Sequence, residues 1–421
     1  MITELRADNC CIFNRKINFS LKADMRSKKF GTNIHKENGF NILKTAAIYG
    51  PNNSGKTCLI NIIGNLKSIL LNKPGMIITN FHNPDDRVAR IGVSFLEKGH
   101  MYSYDLAIAH TASDGQIYPY ERFGEITIDK AGRENLSIWF ERDAENNIYK
   151  STDRKAEKVM PVLGFSNILM YVMNPEQSES LKKMKEILFS FAQKIEIINS
   201  TIFREQNLSK TLGMLKEKSD ISREVADFIK NADMSLDDIR YEENSRYAEI
   251  GMEKYNDSEY SELLKLTSNY KGVALPSIVW DSEGTKRMEF LAGYIIEALH
   301  NDRILVIDEL DTSLHFKLTR AIVAMFNSDV NINSQLIFST HDVSLLDCRK
   351  LFRKEQIWFI NKDDERVYLY PLSVFTAGED GIRGDTDIAE KYRKGLFGSL
   401  PDPKLVNTLI SIKKKREVTN G

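Results

Sequence analysis

The sequence is poor in cysteine, has almost no net charge and lacks a long apolar run. Its 421 residues include only four cysteines, too few to suggest the disulfide framework of a secreted protein. Lysine and arginine number 58 against 59 acidic residues, a formal charge of −1, so bulk charge does not favour tight non-specific nucleic-acid binding. Because no apolar run reaches about 18 residues and the start is not a signal peptide, we expect a soluble, cytoplasmic protein without a membrane partner.

Length and composition predict an α/β protein in three parts. Hydrophobic residues make up 42% of the chain, enough for a sizeable core. We expect a strand-rich lobe over residues 1–170, a helical insertion over 171–275 and a second α/β lobe over 276–421. The insertion is rich in Lys, Glu, Leu and Ile with few glycines or prolines, which predicts several helices, over residues 181–200, 220–232 and 259–266. No heptad pattern persists over three repeats, so a long coiled-coil arm is not predicted.

The motif with the most specific chemistry is GPNNSGKT at residues 50–57, which fits G-x-x-x-x-G-K-[ST]. An apolar run that suits a buried strand precedes it, and apolar residues at helical spacing follow it from Leu59 to Leu70. In such a loop, backbone N–H groups surround phosphates at a helix N-terminus, the lysine reaches the β- and γ-phosphates, and the hydroxyl binds magnesium. The alternative, a glycine-rich turn with a solvated lysine, is disfavoured by the flanking strand and helix. The predicted ATP-binding residues are Gly50, Asn52, Asn53, Ser54, Gly55, Lys56 and Thr57, with Thr57 also a magnesium ligand.

Two carboxylates follow the apolar run Ile304–Ile307, which predicts a buried parallel strand. Asp308, at the carboxyl end of this strand, is expected to hold Mg²⁺ directly or through water. Glu309 is expected to orient and deprotonate the attacking water. Many strands end in an acidic residue, so this pair gains its significance from the phosphate-binding loop upstream.

Two further elements have both a functional and a plain structural interpretation. Ser282 and Gly284 precede a predicted helix and could bind a phosphate, although an ordinary N-cap is favoured if they are taken alone. His341 follows a buried strand, where α/β proteins place ligand-contacting groups, but an isolated histidine is more often structural. Asp311 is placed to cap the next helix or to bridge an interface.

These elements, in this order, resemble the ATP-binding-cassette (ABC) ATPases of the SMC/RecF/OLD branch. The resemblance implies an ABC-ATPase head, in which a P-loop mixed sheet has flanking helices, and a dimer that sandwiches two ATP molecules. It further implies that Ser282 and Gly284 are the signature serine and glycine that meet the γ-phosphate of another protomer. Asp311 would be the D-loop aspartate and His341 the catalytic switch histidine.

A narrower resemblance covers residues 282–401. The stretches SEGTKR, VIDELDTSLH, STHDVSLLD, EQIWFINKD and KGLFGSLP are similar to the stand-alone RloA- or AbiL-like AAA ATPases of bacterial abortive-infection loci. Glu283 stands where transporter signatures have glycine. Gln116 fits a Q-loop glutamine only by its order in the chain, and residues 9–13 only faintly match the N-F-R-S-F of the family. The basic stretch at 413–416 is expected to be a solvated chain end.

The resemblance implies a homodimeric or higher-oligomeric ATP switch in anti-phage defence. Such a switch would sense a phage protein or DNA and control a co-encoded effector, a nuclease or toxin. An SMC- or RecF-like ATPase of DNA repair or chromosome maintenance is the alternative, disfavoured by the missing coiled coil and by the length of the insertion. An OLD-type nuclease would need a further metal-binding domain, but only about 80 residues follow His341. A transporter ATPase is disfavoured by the large insertion and the signature.

Overall fold

The computed structural model of the protein describes most of the chain. The described residues are 1–73, 88–111, 115–174, 176, 178–199, 208–217, 219–232, 235–255, 257–363, 366–383, 386–398 and 400. The basic stretch at 413–416 lies outside them, as do residues 399 and 401 of the KGLFGSLP segment. Within the described residues, no helix is long and apolar enough to cross a membrane.

Strands and helices follow one another along the whole described chain. The strands are β1 (Ile2–Asp8), β2 (Ile17–Ser20), β3 (Ile34–Glu37), β4 (Phe40–Leu43), β5 (Thr45–Tyr49), β6 (Val88–Glu97), β7 (His100–Thr111), β8 (Gly115–Ile128), β9 (Glu134–Asp143), β10 (Ile148–Ser151), β11 (Ile195–Ile198), β12 (Asp238–Tyr241), β13 (Leu266–Tyr270), β14 (Val273–Pro276), β15 (Ile304–Ile307), β16 (Gln335–Ser339), β17 (Ile357–Lys362) and β18 (Val367–Pro371). The α-helices are α1 (Lys56–Leu70), α2 (Arg154–Val159), α3 (Leu169–Val172), α4 (Glu179–Lys194), α5 (Ser209–Lys216), α6 (Asp220–Ala232), α7 (Arg246–Tyr255), α8 (Ser258–Leu263), α9 (Ser277–Trp280), α10 (Glu283–His300), α11 (Phe316–Phe326) and α12 (Ile388–Arg393).

The first lobe contains a seven-stranded antiparallel sheet in the order β10-β9-β8-β7-β6-β1-β2. Successive residues of a strand point to opposite faces of a sheet, and the apolar residues lie on one face here. Leu5, Val93 and Phe123, on three of these strands, are fully buried on that inner face. The neighbouring positions, such as Arg6 and Arg122, therefore lie on the outer face.

The second sheet has six strands in the order β11-β15-β16-β5-β17-β18. Its first five strands are parallel, and β18 is antiparallel to β17. Every residue of β5, β15 and β16 is buried, as expected for parallel strands that are covered on both faces.

Alternate residues of the central strands enter two separate apolar cores. Ile304 and Val306 pack on one side, with α1, α4 and the inner face of the antiparallel sheet. Leu305 and Ile307 pack on the other side, with α10 and α11. The predicted α/β class, a mixed sheet with a P-loop and flanking helices, is therefore confirmed.

The segment predicted as a helical insertion, residues 171–275, differs from that expectation. Besides its helices, its described residues contain β11, β12, β13 and most of β14, and β11 pairs in parallel with β15 at the edge of the central sheet. The helix predicted over 181–200 accordingly ends as α4 at Lys194, because Ile195–Ile198, three isoleucines and one glutamate, form the edge strand β11. Helices α5 and α6 pack on α10, and β12 joins β13 and β14 in a small antiparallel sheet. Helix α6 has the predicted bounds of 220–232.

Candidate nucleotide-binding site

The loop at residues 50–57 joins the buried strand β5 to helix α1, as the motif predicts. The backbone turns sharply here, since Asn53 and Gly55 have φ angles of 63° and 111°. A side chain on Gly55 would also collide with Ile12, whose Cδ1 lies 2.0 Å from the position of such a Cβ. Residues of the segment 9–13 therefore press directly on the loop, a contact for which the sequence gives little signal.

Lys56 is buried at the first position of α1 and folds back over the loop. Its Nζ donates to the carbonyl oxygens of Gly50 at 2.8 Å and Pro51 at 3.1 Å. Burial lowers the pKa of Lys56, and the nearby carboxylates, with Asp308 first, partly offset this effect. The loop thus holds its ammonium group in place by backbone carbonyls, close to the acidic residues at the ends of the neighbouring strands.

The loop contains a buried hydroxyl that has no hydrogen-bond partner. Ser54 is only 2% exposed, and its Oγ is unpaired among the described residues. The same Oγ lies 2.5 Å from where a Cβ on Gly50 would stand, so a side chain at that position would fill the cradle. An orphaned donor beside a cradle that glycine keeps open fits a ligand with phosphate oxygens.

Asp308 directly follows β15 and is 1% exposed. Thr57 Oγ1 donates to its Oδ2 at 2.7 Å, and Ser339 Oγ donates to its Oδ1 at 2.5 Å. These three residues come from β15, β16 and the loop after β5, which are neighbours in the parallel sheet. The carboxyl ends of adjacent parallel strands meet at one edge, where α/β folds bind their ligands. We call Thr57, Asp308, Glu309 and Ser339 the nucleotide edge.

Ser339 is a site residue to which the sequence assigned no role. Besides donating to Asp308, its Oγ accepts a hydrogen bond of 2.7 Å from the backbone N–H of Glu309. The pairing of Ile307 with Phe338 in the ladder brings Ser339 level with Asp308. A polar residue at the end of a buried strand is the only signal for this role in the sequence.

Glu309 stands in a strained part of the turn, with a left-handed φ of 55°. Its Oε2 accepts a hydrogen bond of 3.3 Å from Thr312 Oγ1. The fully buried Arg287 of α10 reaches its carbonyl oxygen with Nη2 at 3.4 Å. Burial lowers the pKa of Arg287 to about 10, an effect opposed by the charges of Glu309 and Asp311. The half-buried carboxyl group of Glu309 is thus held next to Asp308 by its own backbone turn.

His341 and Asp311 are in direct contact. The backbone N–H of His341 donates to the carboxylate of Asp311, at 3.1 Å from Oδ2 and 3.3 Å from Oδ1. Partial desolvation of the ring lowers the pKa of His341, and the charge of Lys56 lowers it further, against the opposing carboxylates. The imidazole is therefore biased towards its neutral form, which can accept a proton.

Ser282 occupies the N-cap of α10, where its Oγ accepts from the backbone N–H of Thr285 at 3.1 Å and lies 2.9 Å from the Thr285 hydroxyl. A Cβ on Gly284 would lie 3.1 Å from the carbonyl oxygen of Ser313, so this glycine permits close packing of the two turns. In the part of the chain that the structure describes, no hydrogen bond joins the exposed Ser282 to the nucleotide edge. We call residues 281–285 the signature turn.

The magnesium ligands predicted from the sequence lie side by side. The described residues contain no group of three or more His, Cys, Asp or Glu side chains that could hold a metal ion on its own. The Thr57 hydroxyl and the Asp308 carboxylate are oxygen donors, which suit Mg²⁺ when phosphates and water supply the remaining ligands. Gln116, which fits a Q-loop glutamine only by its order in the chain, lies on β8 and donates to the hydroxyl of Tyr118 at 2.6 Å.

Comparison with known proteins gives one family match. Residues 176–347 match the family described as "AAA domain, putative AbiEii toxin, Type IV TA system", which is less than half of the chain. No curated protein matches. This segment includes the signature turn, Asp308, Glu309 and His341, and the P-loop lies outside it.

The solved structures to which this chain is similar include two SMC heads. The SMC head domain from Thermotoga maritima shares 13% identity, with a TM-score of 0.44 over 88% of this chain and 98% of that one. A structure titled as the SMC head bound to the C-winged helix domain of ScpA shares 14% identity, with a TM-score of 0.41 over 88% of this chain and 97% of that one.

Proposed function

We propose that this protein binds Mg–ATP at the nucleotide edge and hydrolyses it. The observation that carries the proposal is the hydrogen-bonded set in which Thr57 and Ser339 both donate to Asp308 while Ser339 also holds the backbone of Glu309. A P-loop hydroxyl and a strand-end carboxylate held at 2.7 Å suit the two protein ligands that P-loop ATPases supply to magnesium.

Each residue has a distinct task in this proposal. Lys56 and the backbone N–H groups of the loop bind the β- and γ-phosphates, with the free hydroxyl of Ser54 beside them. Thr57 and Asp308 hold Mg²⁺, which when bound neutralises charge on the phosphates. Glu309 accepts a proton from the attacking water.

His341 and Asp311 complete the γ-phosphate side of the proposed site. A neutral imidazole can donate one hydrogen bond to a phosphate or water while its other nitrogen accepts one. The lowered pKa of His341 supports this form. Asp311 fixes the backbone of His341 through the bonds of 3.1 and 3.3 Å, and so couples the turn after β15 to the end of β16.

We further propose that the protein works as a homodimer. Ser282 is exposed, and its hydrogen bonds stay within its own helical turn, which leaves the signature turn free to meet a nucleotide held by a second copy. A two-fold dimer of this kind contains two composite sites, each with the P-loop of one chain and Ser282 of the other.

The biological role proposed is a switch in bacterial anti-phage defence that senses infection and controls a co-encoded nuclease or toxin. Two observations support it. The family that matches residues 176–347 is described by a putative AbiEii toxin and a type IV toxin–antitoxin system, and residues 282–401 resemble abortive-infection ATPases. An SMC- or RecF-like role in DNA repair is the competing assignment.

The test compares Lys56→Ala with Lys73→Ala, an exposed lysine just after α1 that serves as the matched control. In purified protein, Lys56→Ala should weaken ATP binding by about tenfold or more, because a charge-assisted hydrogen bond is lost, and Lys73→Ala should bind as the wild type does. In a host that the wild type protects from phage, only Lys56→Ala should abolish protection. Sensitivity to DNA damage in place of phage sensitivity would favour the repair role, and unchanged ATP binding by Lys56→Ala would exclude this site.

A further inference from the structure

A hydroxyl group from α5 enters the hydrogen-bond ladder of α10, the helix that begins in the signature turn. Thr211 of α5 is fully buried. Its Oγ1 donates to the carbonyl oxygen of Glu289 at 2.7 Å and accepts from the backbone N–H of Gly293 at 3.0 Å. These two groups stand four residues apart, so a regular α-helix pairs them with each other. A side chain inserted between them is one of the known causes of a helix bend.

Glycine at position 293 allows α5 to come this close to α10. A Cβ on Gly293 would stand 2.7 Å from Thr211 Oγ1, 2.9 Å from the backbone nitrogen of Thr211 and 3.0 Å from its Cα. Two of these three atoms belong to the backbone, so a new rotamer of Thr211 would not make room. Glycine is a poor helix former because of its conformational entropy, and the contact with Thr211 accounts for its place in the middle of α10.

The residue before Thr211 anchors α5 to the second half of α10. The ammonium group of Lys210 lies 4.4 Å from the centroid of the Tyr294 ring and forms an ion pair with Glu297, a combination of cation–π and charge attraction. The same ammonium group lies 3.3 Å from the carboxylate of Glu196 on β11. Helix α5 is therefore fixed to the C-terminal half of α10 and to the edge of the central sheet, and the Thr211 hydroxyl bonds at the point where that half begins.

The first half of α10 reaches both parts of the proposed site. Ser282 is its N-cap, and Arg287 Nη2 lies 3.4 Å from the carbonyl oxygen of Glu309. The side chain of Glu289 contacts α9, which ends directly before the signature turn, since its Oε2 accepts a bond of 3.1 Å from Ser277 Oγ. The direction of these first turns therefore determines where the Ser282 hydroxyl lies and how the backbone of Glu309 is supported.

The length of the first half of α10 makes a small bend at Glu289 significant. Ser282 lies about two helical turns before Glu289, which is about 10 Å at a rise of about 1.5 Å per residue. Over that length, a bend of about 5° displaces Ser282 by about 1 Å. A misplacement of about 1 Å can lower the rate of an enzyme by about 10²-fold. The contact with Thr211 therefore lies where it has a large effect on the signature turn.

We propose that Thr211 is a positioning residue for ATP hydrolysis, because its hydroxyl fixes the direction in which the first half of α10 leaves the anchored half. The inference rests on the proposed function, in which Ser282 meets the γ-phosphate of a nucleotide held by a second chain. Without the hydroxyl, the Glu289 carbonyl and the Gly293 N–H pair with each other, and the signature turn moves. Nucleotide binding by the P-loop of one chain does not need the signature turn and stays unchanged.

The test compares Thr211→Ala with Thr211→Ser, which keeps the hydroxyl, and with Ser209→Ala, which removes an exposed hydroxyl from the same helix. Thr211→Ala should hydrolyse ATP about tenfold to a hundredfold more slowly than the wild type, and its ATP-dependent dimerisation should weaken. Its affinity for ADP, which lacks the γ-phosphate that Ser282 meets, should equal that of the wild type. Thr211→Ser and Ser209→Ala should match the wild type in all three measurements.

Gly293→Ala tests the same contact from the other helix and decides the question if the melting temperature shows that Thr211→Ala is not folded. Its methyl group displaces α5, so ATP hydrolysis should fall although Thr211 keeps its hydroxyl.

The inference is overturned if folded Thr211→Ala hydrolyses ATP as the wild type does, or if Thr211→Ser is as slow as Thr211→Ala. It is also overturned if ADP affinity falls in parallel with hydrolysis, since the hydroxyl would then only support the fold. A wild-type protein that binds no ATP would instead overturn the proposed function, and this inference with it.

Discussion

The nucleotide edge and the signature turn both consist of polar residues at the end of a regular element, yet they differ in what surrounds them. Asp308 is buried, and its two oxygens accept bonds of 2.7 and 2.5 Å from Thr57 and Ser339, which lie far away along the chain. Ser282 is exposed and, within the described part of the chain, its hydroxyl bonds only within its own helical turn. Hydrogen bonds between three elements hold the nucleotide edge together, whereas the hydroxyl of Ser282 in the signature turn bonds to residues of the same turn.

This difference indicates which part of the proposed site one chain can build. The nucleotide edge has its hydroxyl, carboxylate and backbone partners in place within a single chain. The signature turn is supported from behind instead, because Asp281 accepts bonds from Ser268 at 2.6 Å and Tyr270 at 2.9 Å, both on β13. Its exposed side carries the Ser282 hydroxyl, which in the proposed homodimer would meet a nucleotide held by the second chain.

The largest expected effect comes from Glu309. Glu309→Gln keeps the shape of the side chain but cannot accept a proton, so hydrolysis should fall by about 10² to 10⁴. ATP binding should persist, because Lys56 and the loop are untouched. Steady-state phosphate release measures the first quantity, and equilibrium binding of labelled ATP measures the second. Wild-type turnover by Glu309→Gln would remove it from the role of general base.

A smaller effect is expected at Ser339. Ser339→Ala removes the bonds to Asp308 Oδ1 and from the Glu309 N–H, and the buried partners left unpaired should cost about 1 to 3 kcal/mol of stability. The free energy of unfolding in urea measures this loss. The magnesium concentration needed for half-maximal ATP hydrolysis should also rise, because the carboxylate of Asp308 is less firmly held. Ser344→Ala, an exposed serine beyond the same strand, is the control and should change neither quantity.

A buried carboxyl group behind the signature turn, that of Glu289, should make the stability of the protein depend on pH. Glu289 of α10 is fully buried, and burial with the neighbouring Asp281 raises its pKa well above the usual 4.5. The folded protein therefore keeps a proton that the unfolded chain releases above about pH 4.5, so this group's contribution to stability is lost as pH rises towards the folded pKa.

Glu289→Gln replaces the protonated carboxyl with a neutral amide and should remove that loss. As pH rises, the unfolding free energy of the variant minus that of the wild type should increase. The increase should be at most about 1.4 kcal/mol per pH unit. Urea unfolding at several pH values between about 5 and 8 measures this difference. A constant difference between the two proteins over that range would show that Glu289 is ionised in the folded state.

The sequence predicts the nucleotide edge better than it predicts the surroundings of that edge. The loop at 50–57 and the carboxylates after β15 were identifiable because their chemistry is local and depends on fixed spacing. The role of Ser339 was not, since it depends on strand order, which places β16 between β5 and β15. The run Ile195–Ile198 could not be distinguished from a continuing helix, because no glycine or proline separates it from α4.

The contact between Ile12 and Gly55 could not be predicted from the sequence either, because the two segments meet only through tertiary packing. What the chain builds from neighbouring residues was therefore predictable, and what it builds by pairing distant strands was not.

The contrast between the two regions is tested most directly by mixing two inactive variants. Lys56→Ala damages the P-loop, and Ser282→Arg places a bulky side chain in the signature turn. In a random mixture half of the dimers are mixed, and each of these has both lesions in one site and none in the other.

If the two sites act independently, ATP hydrolysis by an equal mixture should recover to about a quarter of the wild-type rate, although each variant alone is inactive. ATP-dependent dimerisation of each variant, followed by light scattering, shows whether mixed dimers form. The account is contradicted if Ser282→Arg alone hydrolyses ATP at the wild-type rate as a monomer, because Ser282 would then be only the N-cap of α10.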